Sequence, residues 1–95
     1  MQIGQYIKLI LQKKNMTQQD LVNKLNELHL GEKGEITRFK ISAVLNQGIG
    51  LSPYLARKIE IALDLPKYSI VSKVGFPKGE REKKKLESIS NDRNI

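Results

Sequence analysis

Apolar positions recur through the first two thirds of the chain at spacings of three and four, the repeat of one face of an α-helix. In "QIGQYIKLILQKKN" they are Ile3, Tyr6, Ile7, Ile10 and Leu11, with Asn15 as a stop. In "MTQQDLVNKLNEL" they are Leu21, Leu25 and Leu28, with Val22 beside them. Thr17 can accept a hydrogen bond from the backbone N–H near Asp20, and Asp20 lies in the first turn, where the helix dipole favours an anion. Two glycines in "HLGEKGEI" break the pattern. It resumes in "TRFKISAVLNQG", where Thr37 is a capping residue, Ile41, Val44 and Leu45 share a face, and Gly48 closes the run. After the loop "GIGLSP", Ser52 is an N-cap and Pro53 suits the first helical position. "YLARKIEIALDL" then turns Leu55, Ile59, Ala62 and Leu63 inward, and Pro66 ends or restarts it. "KYSIVSKVG" predicts a short fifth helix. From Phe76 the chain is polar, with only Leu86 and Ile89 apolar at helical spacing, which predicts a frayed helix or disorder. No hairpin signal or internal repeat interrupts this plan. The expected fold is all-α: four to five short helices in residues 1–75, followed by a charged tail, 76–95.

The third predicted helix has an unusual outer face. Opposite Ile41, Val44 and Leu45 stand Arg38, Phe39, Ser42, Ala43 and Asn46. A solvated face would carry Glu and Lys instead. Phe39 is either a group presented outward or a ring turned into the core, because the chain has only two Phe with which to fill it.

Composition narrows the partners. The chain has 95 residues, 39% of them hydrophobic, so one small domain with a modest core is expected. It contains no Cys and a single His, His29, so no thiolate or multi-histidine metal site is expected and no cofactor is called for. No run approaches the roughly 20 apolar residues of a membrane span. "QKKN" follows the short apolar start, so that start is not read as a signal peptide, and the expected compartment is the cytoplasm. The net charge is +7. Residues 1–75 hold 11 Lys and Arg against 6 Asp and Glu, so the excess is not confined to the tail. A small basic domain suits a polyanion, because Lys and Arg displace counterions from phosphates.

In order along the chain, "MTQQDLVNKLNEL", "ITRFKISAVLNQG" and "LSPYLARKIEIALDLP" resemble the helix-turn-helix domain of phage repressors and Cro proteins, the lambda-repressor-like or XRE family. The shared features are the Thr17-Gln18 pair followed by Asp20-Leu21, the capping Thr37 with Ile41, Ser42 and Val44, the exit through Asn46 and Gly48, and a Ser-Pro start to a helix ending in "IALDLP". The resemblance covers roughly residues 3–66. It implies binding of double-stranded DNA and regulation of transcription, as a repressor, with no catalytic role. It places Arg38, Phe39, Ser42 and Ala43 against base edges. Arg38 would present two donors to a guanine, and Phe39 and Ala43 an apolar surface to a thymine methyl. Thr17, Gln18, Lys40 and Asn46 would meet the phosphate backbone, Gln18 at a helix N-terminus. A homodimer on a two-fold site follows from the few bases one short helix can read. The apolar segment Tyr68–Phe76 either joins the two copies or seals the domain's own core.

One departure stands out. The connection between the second and third helices is longer than the usual helix-turn-helix by roughly eight or nine residues. Within it, Gly31-Glu32-Lys33-Gly34 also matches the G-x-x-G of KH-type RNA-binding domains. The absence of strand-like runs, the glutamate in that loop and an aromatic content of 5% argue against this. An enzyme is not expected: there is no Cys nucleophile and no phosphate-binding glycine loop. The remaining alternative is a small helical protein-interaction module, or antirepressor, that uses the same fold without binding DNA.

Overall fold

A computed structural model describes residues 2–28 and 36–89. It contains six helices: α1 (Ile3–Lys13), α2 (Gln18–Glu27), α3 (Arg38–Gln47), α4 (Pro53–Ala62), α5 (Val71–Val74) and α6 (Glu80–Ser88). No strand occurs among the described residues, and the fold is all-α. His29 and the G-x-x-G run lie outside the described residues.

Helix starts are made by side chains close in sequence. Thr17 Oγ1 accepts the Asp20 N–H at 3.0 Å, and the Asp20 carboxylate accepts the Thr17 N–H at 2.8 Å, a complete capping box. Thr37 Oγ1 accepts the Lys40 N–H, and Ser52 Oγ accepts the Leu55 N–H, both at 3.2 Å. Pro53 occupies the first turn of α4, where its missing N–H leaves no helical bond unmade. Each such cap stabilises its helix by about 1 kcal/mol.

Helix ends use left-handed residues. Asn15, at φ 57°, lets the Met16 N–H reach back to the Leu11 carbonyl. Asp64, at φ 56°, does the same for Leu65 and Glu60. At Gly48, φ 67°, the Ile49 N–H returns to the Ala43 carbonyl. Asn, Asp and Gly adopt this conformation with the least strain.

The described residues form two compact units that divide between Leu51 and Ser52. In the first, α3 packs against both α1 and α2. Ile7 and Leu11 of α1, Leu21, Val22 and Leu25 of α2, Ile36, and Ile41, Val44 and Leu45 of α3 are all buried. Burial of each large aliphatic side chain contributes on the order of 1.5–3 kcal/mol. The contact between α1 and α3 is close enough to require a residue without a side chain. A methyl group on Gly4 would lie 3.0 Å from the Val44 carbonyl oxygen and closer still to that of Leu45.

In the second unit α4 packs against α5 and α6. Leu55, Ala56, Ile59, Ala62 and Leu63 of the α4 segment are buried, as are Ile70, Val71 and Leu86. The fifth helix is only four residues long and follows a turn over residues 67–70. The polar tail supplies α6, whose Leu86 is buried and whose Lys85 ammonium sits 5.0 Å from the Tyr54 ring centre.

At the centre of this unit is Glu60, fully buried on α4. Its Oε1 accepts the Tyr68 N–H and its Oε2 accepts the N–H groups of Ile70 and Val71, at 2.7 to 2.8 Å. Arg57 Nη1 donates to Oε1 at 3.0 Å. A buried carboxylate is tolerated because donors from three peptide groups and one guanidinium replace its water.

Candidate nucleic-acid interface

The rotation of α3 is set by its three buried residues. With Ile41, Val44 and Leu45 inward, positions 39, 42, 43 and 46 fall on the opposite side, at i, i+3, i+4 and i+7. Phe39, Ser42, Ala43 and Asn46 thus form one stripe about 10 Å long. Phe39 is 89% exposed, so the ring faces outward and takes no part in the core. Ser42 and Ala43 are half-buried and Asn46 is exposed. Asn46 Nδ2 donates to Ser42 Oγ at 2.9 Å, which orients both side chains along the stripe. The Ser42 hydroxyl proton and the Asn46 carbonyl oxygen remain available to a partner.

Arg38 and Lys40 flank the stripe, both exposed. They stand in the first turn of α3, which contains no acidic residue. The positive end of the helix dipole disfavours cations there by roughly 0.3–1 kcal/mol each. By contrast, α2 carries Asp20 in its first turn, as the dipole prefers. The start of α3 therefore concentrates positive potential from two side chains and from the helix itself around an exposed aromatic ring.

The N-terminus of α2 belongs to the same unit. Thr17 is exposed and Gln18 half-buried at the first helical position. The Thr17 hydroxyl oxygen is engaged in the capping box, but its proton is still free to be donated. The Asp20 carboxylate is turned onto the Thr17 N–H within that box. What links the Thr17-Gln18 pair to the α3 stripe is that α2 and α3 pack together.

A residue not singled out by spacing holds that helix pair at the end of its long connection. Asn26 Nδ2 donates to the Ile36 carbonyl at 3.0 Å, and Asn26 Oδ1 accepts the Ile36 N–H at 2.7 Å. One side-chain amide thus satisfies both backbone groups of the residue just before the Thr37 cap. Ile36 is itself buried. The only local signal for this role is an Asn near a helix C-terminus ahead of a glycine-containing connection.

Comparisons with protein families, with curated proteins and with solved structures return no match for the chain.

Proposed function

We propose that the chain binds double-stranded DNA in a sequence-specific manner and regulates transcription as a repressor, with α3 as its reading helix. The observation that carries this is the exposed Phe39 between Arg38 and Lys40, at a helix start without an acidic residue. A partner for this face must be anionic and must also offer apolar surface. The major groove does both, since thymine methyl groups lie between two rows of phosphates. In this reading Arg38, Phe39, Ser42 and Ala43 meet bases, and Thr17, Gln18, Lys40 and Asn46 meet the backbone. Two copies occupy a two-fold site in the cytoplasm of a bacterial or phage-infected cell. The protein acts by binding and carries out no chemistry.

Selection of bound duplexes from random sequence tests the proposal, followed by a salt titration on the selected site. Enrichment of a defined, symmetric site is expected. Affinity should fall with salt at a log–log slope of about −0.9 for each neutralised phosphate. No enrichment, together with an affinity insensitive to salt, overturns the reading and favours a protein-interaction module built on the same exposed ring.

A further inference from the structure

One helical turn apart on the outer stripe of α3, Ser42 and Asn46 are joined at their tips: Asn46 Nδ2 donates to Ser42 Oγ at 2.9 Å. That bond gives the pair a direction. The Ser42 oxygen is used as an acceptor, so its proton is offered outward. The Asn46 amide has committed one N–H, and Oδ1 is the acceptor left beside that bond; its second N–H diverges from the first and is not part of this edge. Together the two side chains present one donor next to one acceptor. Ser42 is half-buried and Asn46 exposed, so the edge is supported from below and open to a partner.

We infer that Ser42 and Asn46 read an adenine as a unit, Ser42 Oγ donating to N7 and Asn46 Oδ1 accepting from the N6 amino group. The inference rests on the DNA reading of α3 and names a base within it, and it gives Asn46 a base edge in place of a phosphate. The major-groove edges decide the match. Adenine offers an acceptor beside a donor. Guanine offers two acceptors, so its O6 would face the Asn46 oxygen. Thymine offers an acceptor and a methyl group, and cytosine a donor. A phosphate has acceptor oxygens only and would repel Oδ1. A peptide group offers one of each, but not the negative charge that suits the exposed Arg38 and Lys40 at the start of the same helix. With adenine in place, three hydrogen bonds run head to tail: amide N–H to hydroxyl, hydroxyl to N7, and N6–H to amide oxygen. Each polarises the next.

Binding of the full chain to its selected duplex tests this, with single adenines replaced by 7-deaza-adenine, which lacks the N7 acceptor, or by purine, which lacks the N6 amino group. At one adenine, each analogue should weaken the wild type by about threefold to tenfold, and guanine by about tenfold or more. Ser42→Ala should no longer distinguish 7-deaza-adenine from adenine there, and Asn46→Ala should no longer distinguish purine from adenine. Comparing variant and wild type on the same duplexes cancels any change in the duplex itself. Alanine is the better helix former at both positions, so helical circular dichroism should be retained. A wild type with no adenine sensitive to both analogues overturns the inference. So do variants that keep the wild-type sensitivity each should lose. Either result leaves DNA binding by α3 standing. A chain that selects no duplex overturns both readings and turns the Ser42–Asn46 edge toward the peptide groups of a protein partner.

Discussion

Glu60 Oε1 accepts the Tyr68 N–H at 2.7 Å, and Tyr68 holds a left-handed backbone at φ 68°. An aromatic residue there is strained, on the order of 1–3 kcal/mol, and persists only where its surroundings over-determine it. Those surroundings are Glu60 on its N–H, the Phe76 ring against its own, and the cations of Lys67 and Arg57 at 5.1 and 5.7 Å from its ring centre. The same carboxylate takes up the Ile70 and Val71 N–H groups at the start of α5. One buried side chain on α4 therefore shapes the whole turn that follows it.

Replacing Glu60 with Gln should destabilise the protein by about 3 kcal/mol or more. The amide turns one acceptor oxygen into a donor among peptide N–H groups that have no other partner on the side chain. Alanine should be at least as damaging. Urea denaturation of both variants measures this, and a loss below about 1 kcal/mol for Gln would show that the carboxylate is not what holds the turn.

Gly4→Ala sets intrinsic propensity against packing. Alanine is the better helix former by about 1 kcal/mol, so an open position would gain stability. Here the added methyl meets the backbone of Leu45 and Val44, which cannot rotate away. A net loss of about 1–3 kcal/mol is expected. A rise in the denaturation midpoint would mean that α1 and α3 are farther apart than described.

On the selected DNA site, Arg38→Ala should cost about 1–3 kcal/mol and relax the preference at one base pair. Lys40→Ala should weaken all sequences alike, as the loss of a phosphate contact does. Competition binding across single-base changes distinguishes them. A uniform loss with Arg38→Ala would make Arg38 a phosphate anchor.

Phe39 permits a test on the DNA itself. Replacing thymine by uracil removes only the 5-methyl group, and at the contacted position this should cost the wild type on the order of 1 kcal/mol. The Phe39→Ala protein should bind both duplexes equally. Its folding should stay within about 0.5 kcal/mol of wild type, because the ring is almost wholly exposed. Equal discrimination by both proteins would move the thymine contact elsewhere.

The legible parts of this molecule were the local ones. Thr17, Thr37 and Ser52 cap residues three positions away, and Asn15 ends a helix through its own backbone, so the chain near each holds the whole signal. The buried stripes follow from helical period, and the outer face of α3 follows from Ile41, Val44 and Leu45. The direction of Phe39 stayed open, because an aromatic ring suits a core as well as a surface. Glu60 was not legible. Beside Arg57 it reads as an ordinary surface charge, and the peptide N–H groups it accepts from are eight to eleven residues away. The helix in the tail was half-legible: its one buried residue is Leu86, and its Lys85 rests on Tyr54, a contact no local pattern announces.

The two hydrogen bonds between Asn26 and Ile36 have a consequence for the start of α3. They tie the end of α2 to the residue before the Thr37 cap by both of its backbone groups. Ile36 is buried beside them, so its main chain cannot turn to water for those bonds. The place where α3 begins, and with it the position of Arg38 and Phe39, is thus fixed from α2 by a single amide.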